Sequence, residues 1–324
     1  MGVYWIMVRC SLCGDAAVAR IGYARLRLCR AHLREYLVKR VRRTVERYEM
    51  IGREERVLAA VSGGKDSSAM LSLLVALSGE LGFEVVPFHL DLGIGGYSEA
   101  SRRVVEKLSG MLGLKSLVVS VRNVLEMGVP ELARRASRPV CAVCGVVKRY
   151  FLNAAAIGLG FEAVAVGHTA DDVSAYVLKA FLTQDWGGLA KTSPVNEAVD
   201  GLAARRVKPL FEVHEKELLA YVLSSGLPFV DRECPYAKLS TLVFDCRKAL
   251  AMLERRRPGL RLSLVRGIIR SRGIFPASER PVRPCSKCGL ISSGDVCSFC
   301  KLTARALGEP MGARVREYLS KLSL

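Results

Sequence analysis

The sequence predicts an α/β protein built on a doubly wound parallel sheet, with a small cysteine-rich module at each end. Three observations carry this prediction. Short apolar runs alternate with helical periodicity through the middle of the chain. The first of these runs passes at once into a glycine-rich turn and a helix. Cysteines in CxxC spacing gather near both ends.

Taken in order, apolar Val3-Tyr4-Trp5-Ile6-Met7 stands first and reads either as an added strand or as a choice of start site. Cys10-x2-Cys13 and Cys29-x2-His32 follow, two knuckles able to set four ligands tetrahedrally around Zn²⁺, with Val18, Ile21 and Leu26 as a short hairpin between them. The alternative is a set of buried thiols. Residues 33–50 read as a helix with Arg34, Lys39, Arg40, Arg42, Arg43 and Arg47 on one face and Leu33, Tyr36, Leu37, Val41 and Tyr48 on another.

Val57–Val61 reads as a buried parallel strand, Ser62-Gly63-Gly64-Lys65-Asp66-Ser67-Ser68 as a turn, and 69–77 as a helix. Glycines let backbone N–H groups approach an anion, the helix N-terminus adds partial positive charge, and Lys65 adds a full one. The Walker pattern GxxxxGK[ST] is absent. Strands are expected at 84–90, 116–121 and 163–166, and helices at 99–112, 144–158, 173–184 and 214–224; Val207-Lys208-Pro209-Leu210 leads into the last helix. His89 at a strand end reads as a wall or core residue. Ligands bind at the C-terminal strand edge of such sheets, where the turn, Asp91, the Cys141 region and 167–172 would meet.

The eleven cysteines are an odd number, which speaks against a disulfide framework. Cys285-x2-Cys288 and Cys297-x2-Cys300 form a four-cysteine ribbon pattern with no open ligand position, so a metal there would be structural. Cys141-x2-Cys144 has no second pair nearby, and Cys234 stands ninety residues on in Glu233-Cys234-Pro235-Tyr236. Spacing leaves three readings of this group: a redox dithiol with a spare, an iron–sulfur cluster with one iron not held by protein, or unrelated thiols. Cys246 reads as a small core residue.

The net charge is +18, and it is unevenly placed. Residues 1–56 hold 13 basic and 6 acidic side chains, 57–230 hold 17 of each, and 231–324 hold 19 and 8. A neutral middle with basic flanks points to a polyanion such as nucleic acid; the rival reading is solubility or an Arg-rich composition. Arg255–Arg257 and an Arg-rich linker at 261–283 carry the same two readings. No apolar run reaches 18 residues, so no membrane span is expected, and the lack of a signal-type start makes the cytoplasm the expected compartment.

SGGKDS resembles the PP-loop of the N-type ATP pyrophosphatases, Rossmann-like enzymes that cut ATP between its α- and β-phosphates. With the knuckles, CxxCG-x2-Lys-Arg, GHxxDD, Lys-Pro-Leu, Cys-Pro-Tyr and the ribbon, nearly the whole chain resembles the T-loop, two-zinc-finger tRNA 2-thiouridine (2-thioribothymidine) synthetases and the related wobble-uridine thiolation enzymes. The resemblance implies adenylation of the C2 oxygen of a tRNA uridine, 5-methyluridine 54 or alternatively the wobble position 34, and its replacement by sulfur with release of AMP and pyrophosphate. It implies an ATP site at Ala60, Ser62, Gly63, Gly64, Lys65, Asp66, Ser67, Lys148, Gly167, Asp171 and Asp172. Catalytic roles fall to Cys141, Cys144, Cys234, Lys148 and Asp172. The three cysteines would hold a 4Fe-4S cluster, Cys10, Cys13, Cys29 and His32 one zinc, Cys285, Cys288, Cys297 and Cys300 a second, and Asp66 or Asp172 a Mg²⁺. A ubiquitin-like thiocarboxylated sulfur carrier and a homodimer are further expectations. A non-catalytic zinc-dependent RNA-binding scaffold is the alternative from another class. The expected modules are 1–35, 36–280 and 281–324. The chain departs from the family in reading Ala170-Asp171-Asp172-Val173-Ser174, where an acid is usual at position 173; a metal or helix-capping contact is thereby put in question.

Overall fold

The computed structural model describes residues 8–190, 192–237, 241–274 and 281–322, so the apolar run at 3–7 lies outside the described residues. The expected N-terminal hairpin is present as β1 (Ala19–Ile21) and β2 (Leu26–Leu28), antiparallel around a tight turn at Gly22–Ala24. Ile21 and Leu28 point into the core, and α1 (Arg30–Arg47) follows with Leu33, Leu37, Val41 and Val45 buried at helical spacing.

The central layer is built from β3 (Arg56–Ala60), α2 (Lys65–Leu81), β4 (Glu84–Asp91), α3 (Gly95–Met111), β5 (Leu117–Ser120), α4 (Val121–Leu125), α5 (Val129–Arg135), α6 (Val140–Gly158), β6 (Ala163–Ala165), α7 (Ala170–Leu182) and α8 (Trp186–Ala190). It is completed by β7 (Val195–Asn196), β8 (Arg205–Val207) and α9 (Glu215–Ser225). The sheet order is β5-β4-β3-β6-β8-β7, parallel except for the edge strand β7, which runs antiparallel to β8. The expected all-parallel sheet is therefore mixed at one edge. The chain leaves β3 towards β4 and later returns to β3's other side with β6. That places the crevice where strand order reverses at the C-terminal ends of β3 and β6, beside the glycine-rich turn.

Both faces of the sheet are covered, so its central strands β3 and β6 are apolar on both sides. Val57, Ala59, Ala163, Ala165 and Val207 face a core shared with α1, α2, α7 and α9. Leu58, Phe88, Val164 and Val166 face a second core shared with α5 and α6. α6 has the length and hydropathy (mean 1.5) of a membrane-crossing helix, yet Val143, Val147, Tyr150, Phe151 and Ala154–Ala156 are buried in that core.

One stretch corrects the sequence reading. Arg255 and Arg256 close α10 (Leu242–Arg256), and the expected linker at 261–283 begins inside α11 (Leu260–Arg270); the two helices pack on α7 through Cys246, Leu250, Leu264 and Val265. Arginines on their outer faces hide an ordinary amphipathic period. The C-terminal ribbon, β9 (Arg283–Pro284), β10 (Ile291–Ser292), α12 (Ser298–Leu307) and α13 (Gly312–Ser320), adds Phe299, Leu302, Val315 and Leu319 to the same core as α6. It therefore combines metal-ligand chemistry with apolar burial and does not rely on metal alone.

Candidate functional site

The turn after β3 is held by its own serines. Ser67 Oγ donates to the Gly64 carbonyl at 2.9 Å and accepts from Ser62 N at 3.2 Å, and the Ser62 and Ser67 hydroxyls meet at 3.1 Å. Gly63 has φ +84°, and a Cβ there would stand 3.0 Å from the Ser101 backbone of α3, so the position demands glycine twice over. Gly167, at the end of β6, packs against the start of α2 with Ser67 N and Cα 3.4 Å from where its Cβ would be. The N-termini of α2 and α7 thus open side by side on the crevice, a preformed site for phosphate groups.

Five charged groups face one another there. Lys65 Nζ donates to Asp66 at 2.8 Å and lies 3.9 Å from Glu215; Arg247 donates to Asp172 at 3.0 Å and also pairs with Glu215. Asp172 accepts from Thr169 N at 3.0 Å, while Thr169 Oγ1 accepts from Asp172 N, a full capping box for α7. Helix capping thus needs no acid at position 173, and Val173 is buried in the core. Burial pushes the Asp66 and Glu215 carboxyls above their ordinary range against the pull of Lys65. Burial opposes the Arg247 charge, but Asp172 and Glu215 more than offset it. Asp66 Oδ1 is buried with no hydrogen-bond partner among the described residues, an acceptor waiting for a ligand. Glu215 and Arg247 escaped the sequence reading. The acid at a helix start was a usable signal for Glu215; Arg247 had none, because α10 carries no motif.

Asp171 faces a different set of partners. Its Oδ1 pairs with Arg261 and its Oδ2 accepts from His214 Nδ1 at 3.0 Å and from Glu215 N at 3.2 Å. With both oxygens engaged and only 6% of the residue exposed, it ties α7 to α9 and α11. Asp171 thus serves this junction, while Asp172 is the acid that faces the charged groups of the crevice. The ties continue outward. His214 N donates to Glu217, whose Oε1 takes the Tyr23 hydroxyl at 2.6 Å, and Tyr23 meets Tyr36 at 2.8 Å. A polar chain therefore joins the N-terminal hairpin to the crevice.

The segment after α9 brings in the third cysteine. Val230 N donates to the Gly63 carbonyl at 2.9 Å, and the Cys141 thiol donates to the Tyr236 carbonyl at 3.0 Å. Residues 230–236 thus run from the glycine-rich turn to the start of α6, carrying Cys234 between. Cys144 is raised by burial, opposed by Lys148 and reinforced by the neighbouring Cys234 and Cys141, so the three thiols share one electrostatic neighbourhood with that lysine. Cys141 is exposed and the other two half-buried. Their sulfurs do not close to the 4.8 Å spacing of the two tetrads described next.

Both tetrads fit a single tetrahedral ion. The ligand atoms of Cys10, Cys13, Cys29 and His32 lie within 4.8 Å of one another, as do those of Cys285, Cys288, Cys297 and Cys300. His32 offers Nδ1, 3.3 Å from Cys29 and 3.5 Å from Cys10. Backbone N–H groups of Lys287 and Cys297 donate to Cys285 Sγ at 3.4 and 3.2 Å. The ribbon is wedged against α6: Tyr150 stacks on Phe299 with ring centroids 3.9 Å apart and donates to the Gly312 carbonyl at 2.8 Å. A Cβ on Gly312 would stand 2.5 Å from Cys300 Sγ and 2.6 Å from Cys288 Cβ. Gly312→Ala is therefore expected to cost about 1–3 kcal/mol through overpacking, read as a lower denaturant midpoint.

Part of the basic excess is spent on internal partners: Arg47 and Arg266 pair with buried Glu212, and Arg40 donates to the Glu212 carbonyl at 2.7 Å. Arg42 pairs with Glu80 at the surface. Arg34, Lys39 and Arg43 remain exposed along α1. His89 is buried with Nδ1 on the Val61 carbonyl at 2.8 Å, as a core residue should be. Lys208 reaches the Ser193 carbonyl and Asn196, fastening the antiparallel edge.

A PP-loop domain family model matches residues 34–238. The tRNA-5-methyluridine(54) 2-sulfurtransferase of Pyrococcus horikoshii is 38% identical over 296 residues, covering 91% of this chain and 93% of that one. The chain belongs to the PP-loop tRNA 2-sulfurtransferases. The enzyme of the same name from Thermus thermophilus is 39% identical, over 90% of both chains. The cytoplasmic tRNA 2-thiolation protein 1 of Bos taurus is 32% identical over 76% of this chain and 72% of its own. Among solved structures, the U34-tRNA thiolase NcsA from Methanococcus maripaludis, with its [4Fe-4S] cluster, superposes with a TM-score of 0.77 at 24% identity, over 93% of this chain and 96% of that one, and so supports the fold of this sulfurtransferase.

Proposed function

We propose that this protein uses ATP to replace the C2 oxygen of 5-methyluridine 54 in tRNA with sulfur. The observation that carries the reading is a phosphate-binding turn at the strand-order reversal, joined by residues 230–236 to three converging thiols, in a chain 38–39% identical to enzymes named for that reaction. The uridine oxygen attacks the α-phosphorus of ATP and pyrophosphate leaves; a sulfur nucleophile then adds at C2 and AMP departs. Ala60, at the end of β3, and Gly167 would wall the adenosine. Backbone N–H groups of 63–67 with Lys65 would hold the departing pyrophosphate. Lys148 would place a cation between nucleotide and thiols. Asp66 and Asp172 would hold a Mg²⁺, consistent with the orphaned Asp66 Oδ1.

Cys141, Cys144 and Cys234 would hold a 4Fe-4S cluster. When bound, such a cluster supplies one iron free of protein thiolate, open to a sulfur ligand. A persulfide on Cys141 or Cys234 is the alternative sulfur source. The two tetrads would each hold a structural zinc, and the exposed arginines of the flanks would track tRNA phosphates. Modules at 1–35, 36–280 and 281–324, a cytoplasmic location, a ubiquitin-like sulfur carrier and a homodimer belong to the same reading, the last two on the resemblance alone.

The test is nucleoside mass spectrometry of tRNA from a strain lacking the protein, with AMP release measured on the purified enzyme. Loss of 2-thiolation at position 54 and tRNA-dependent AMP formation are expected. Loss at position 34 instead would favour the wobble reading, which the lower identity and coverage of the thiolation protein 1 relatives disfavours. AMP formation would exclude a scaffold.

A further inference from the structure

A cavity of about 600 Å³ is walled by the loop after β4 on one side and on the other by Arg232, Glu233, Pro235 and Tyr236, the residues that flank Cys234. We infer that this cavity receives the target pyrimidine nucleotide, extruded from the RNA, with its ring between Tyr97 and Tyr236 and its phosphate on Arg122 and Arg232. The inference deepens the sulfurtransferase reading and rests on it.

Position is the first argument. The wall segment is hydrogen-bonded to Gly63 of the ATP turn through Val230 and to Cys141 through Tyr236. A nucleotide must take AMP from one of these places and sulfur near the other, and this cavity opens along the segment that spans them. Chemistry is the second. Two phenol rings line it, and every base has a face to stack on them. Arg122 and Arg232 are exposed, and among the described residues neither makes an ion pair with a carboxylate; Arg232 only donates to the Gly96 carbonyl. Two uncompensated guanidinium groups beside aromatic rings suit a nucleotide better than an apolar or cationic ligand. Glu233 on the same wall offers an acceptor to the N3–H that uracil has and cytosine lacks.

Size and shape are the third. The volume lies inside the range of small-ligand pockets, about 300–1,000 Å³. The floor is bare backbone: Gly95 has φ +46° with nothing near its missing Cβ, while Gly93 (φ +68°) packs so tightly on Gly128 that a Cβ would come within 2.8 Å. Chemistry on a base inside a folded RNA requires extrusion, and a cavity of this kind is where an extruded base goes.

The experiment uses the full chain, reconstituted anaerobically, with tRNA carrying 4-thiouridine at the target position. After irradiation, peptide mapping should place the cross-link within 93–97 or 232–236; a cross-link confined to α1 or the ribbon overturns the inference. In parallel, Tyr97→Ala, Tyr236→Ala and Arg232→Ala should each lower kcat/KM for tRNA about tenfold or more, with ATP affinity by equilibrium binding retained as proof of folding. Unchanged tRNA kinetics overturn it. So do variants that adenylate tRNA normally and fail only at sulfur entry, because the cavity would then serve the sulfur source. Absence of tRNA-dependent AMP release in the unaltered protein would instead sink the sulfurtransferase reading itself.

Discussion

Asp171→Asn should destabilise the folded protein by about 3–5 kcal/mol, the cost of stranding a buried charge. The Arg261 side chain it would abandon is only 7% exposed, and His214, 9% exposed, would lose its anionic partner. Burial alone would raise the Asp171 carboxyl; the hydrogen bond from His214 and the neighbouring His214 and Arg261 outweigh it and hold it below the ordinary carboxylate range. A depressed acid contributes stability that is full above its unfolded value, about 3.9, and is lost as pH falls through the folded one. Denaturant titrations should therefore show a large gap between Asp171→Asn and the unaltered protein at neutral pH, narrowing as the solution is taken below about pH 4. A neutral-pH gap under about 1 kcal/mol would mean that Arg261 finds other partners and that the α7–α9–α11 junction does not hang on this carboxylate.

The second large effect concerns chemistry. Cys141→Ala, Cys144→Ala and Cys234→Ala should each abolish sulfur incorporation and the broad visible absorbance of anaerobically reconstituted protein. Cys246→Ala, which alters a small core between α7 and α10, should keep both. Iron content, absorbance and thiolated nucleoside are measured on the same samples. If Cys144→Ala still transfers sulfur and no iron binds to any form, the persulfide route replaces the cluster.

The frame of this molecule was written locally. The apolar run of β3, the SGGKDS turn and the βα alternation each follow from neighbouring residues, and the structure has them close to where periodicity put them. The paired CxxC spacings likewise brought each tetrad together, because short knuckles fix their own geometry. What the sequence hid is long-range. Arg247 lies 75 residues from Asp172 and meets it only because α10 docks on α7. Asp171 and Asp172 are adjacent and look alike in sequence, yet one helical position (about 100° of rotation) sends them to different partners. The stretch at 261–283 reads as a linker because arginine dominates it; burial of Leu262 and Val265 gives its first part the apolar face of a helix. The antiparallel edge strand β7 is two residues long, too short for a periodic signal.

The packing of the ribbon on α6 has a consequence in time. Tyr150 and Phe151 are covered by Phe299, which is synthesised long after them. Until those residues leave the ribosome, the helix that begins with Cys141 and Cys144 has one flank bare, whereas β3, α2 and the ATP turn are already complete. The nascent protein can therefore acquire a nucleotide site well before it owns a rigid sulfur site. The thiols at the start of α6 would stay loosely held until Phe299 and its neighbours pack against the helix. Order at the sulfur site would then follow order at the ribbon.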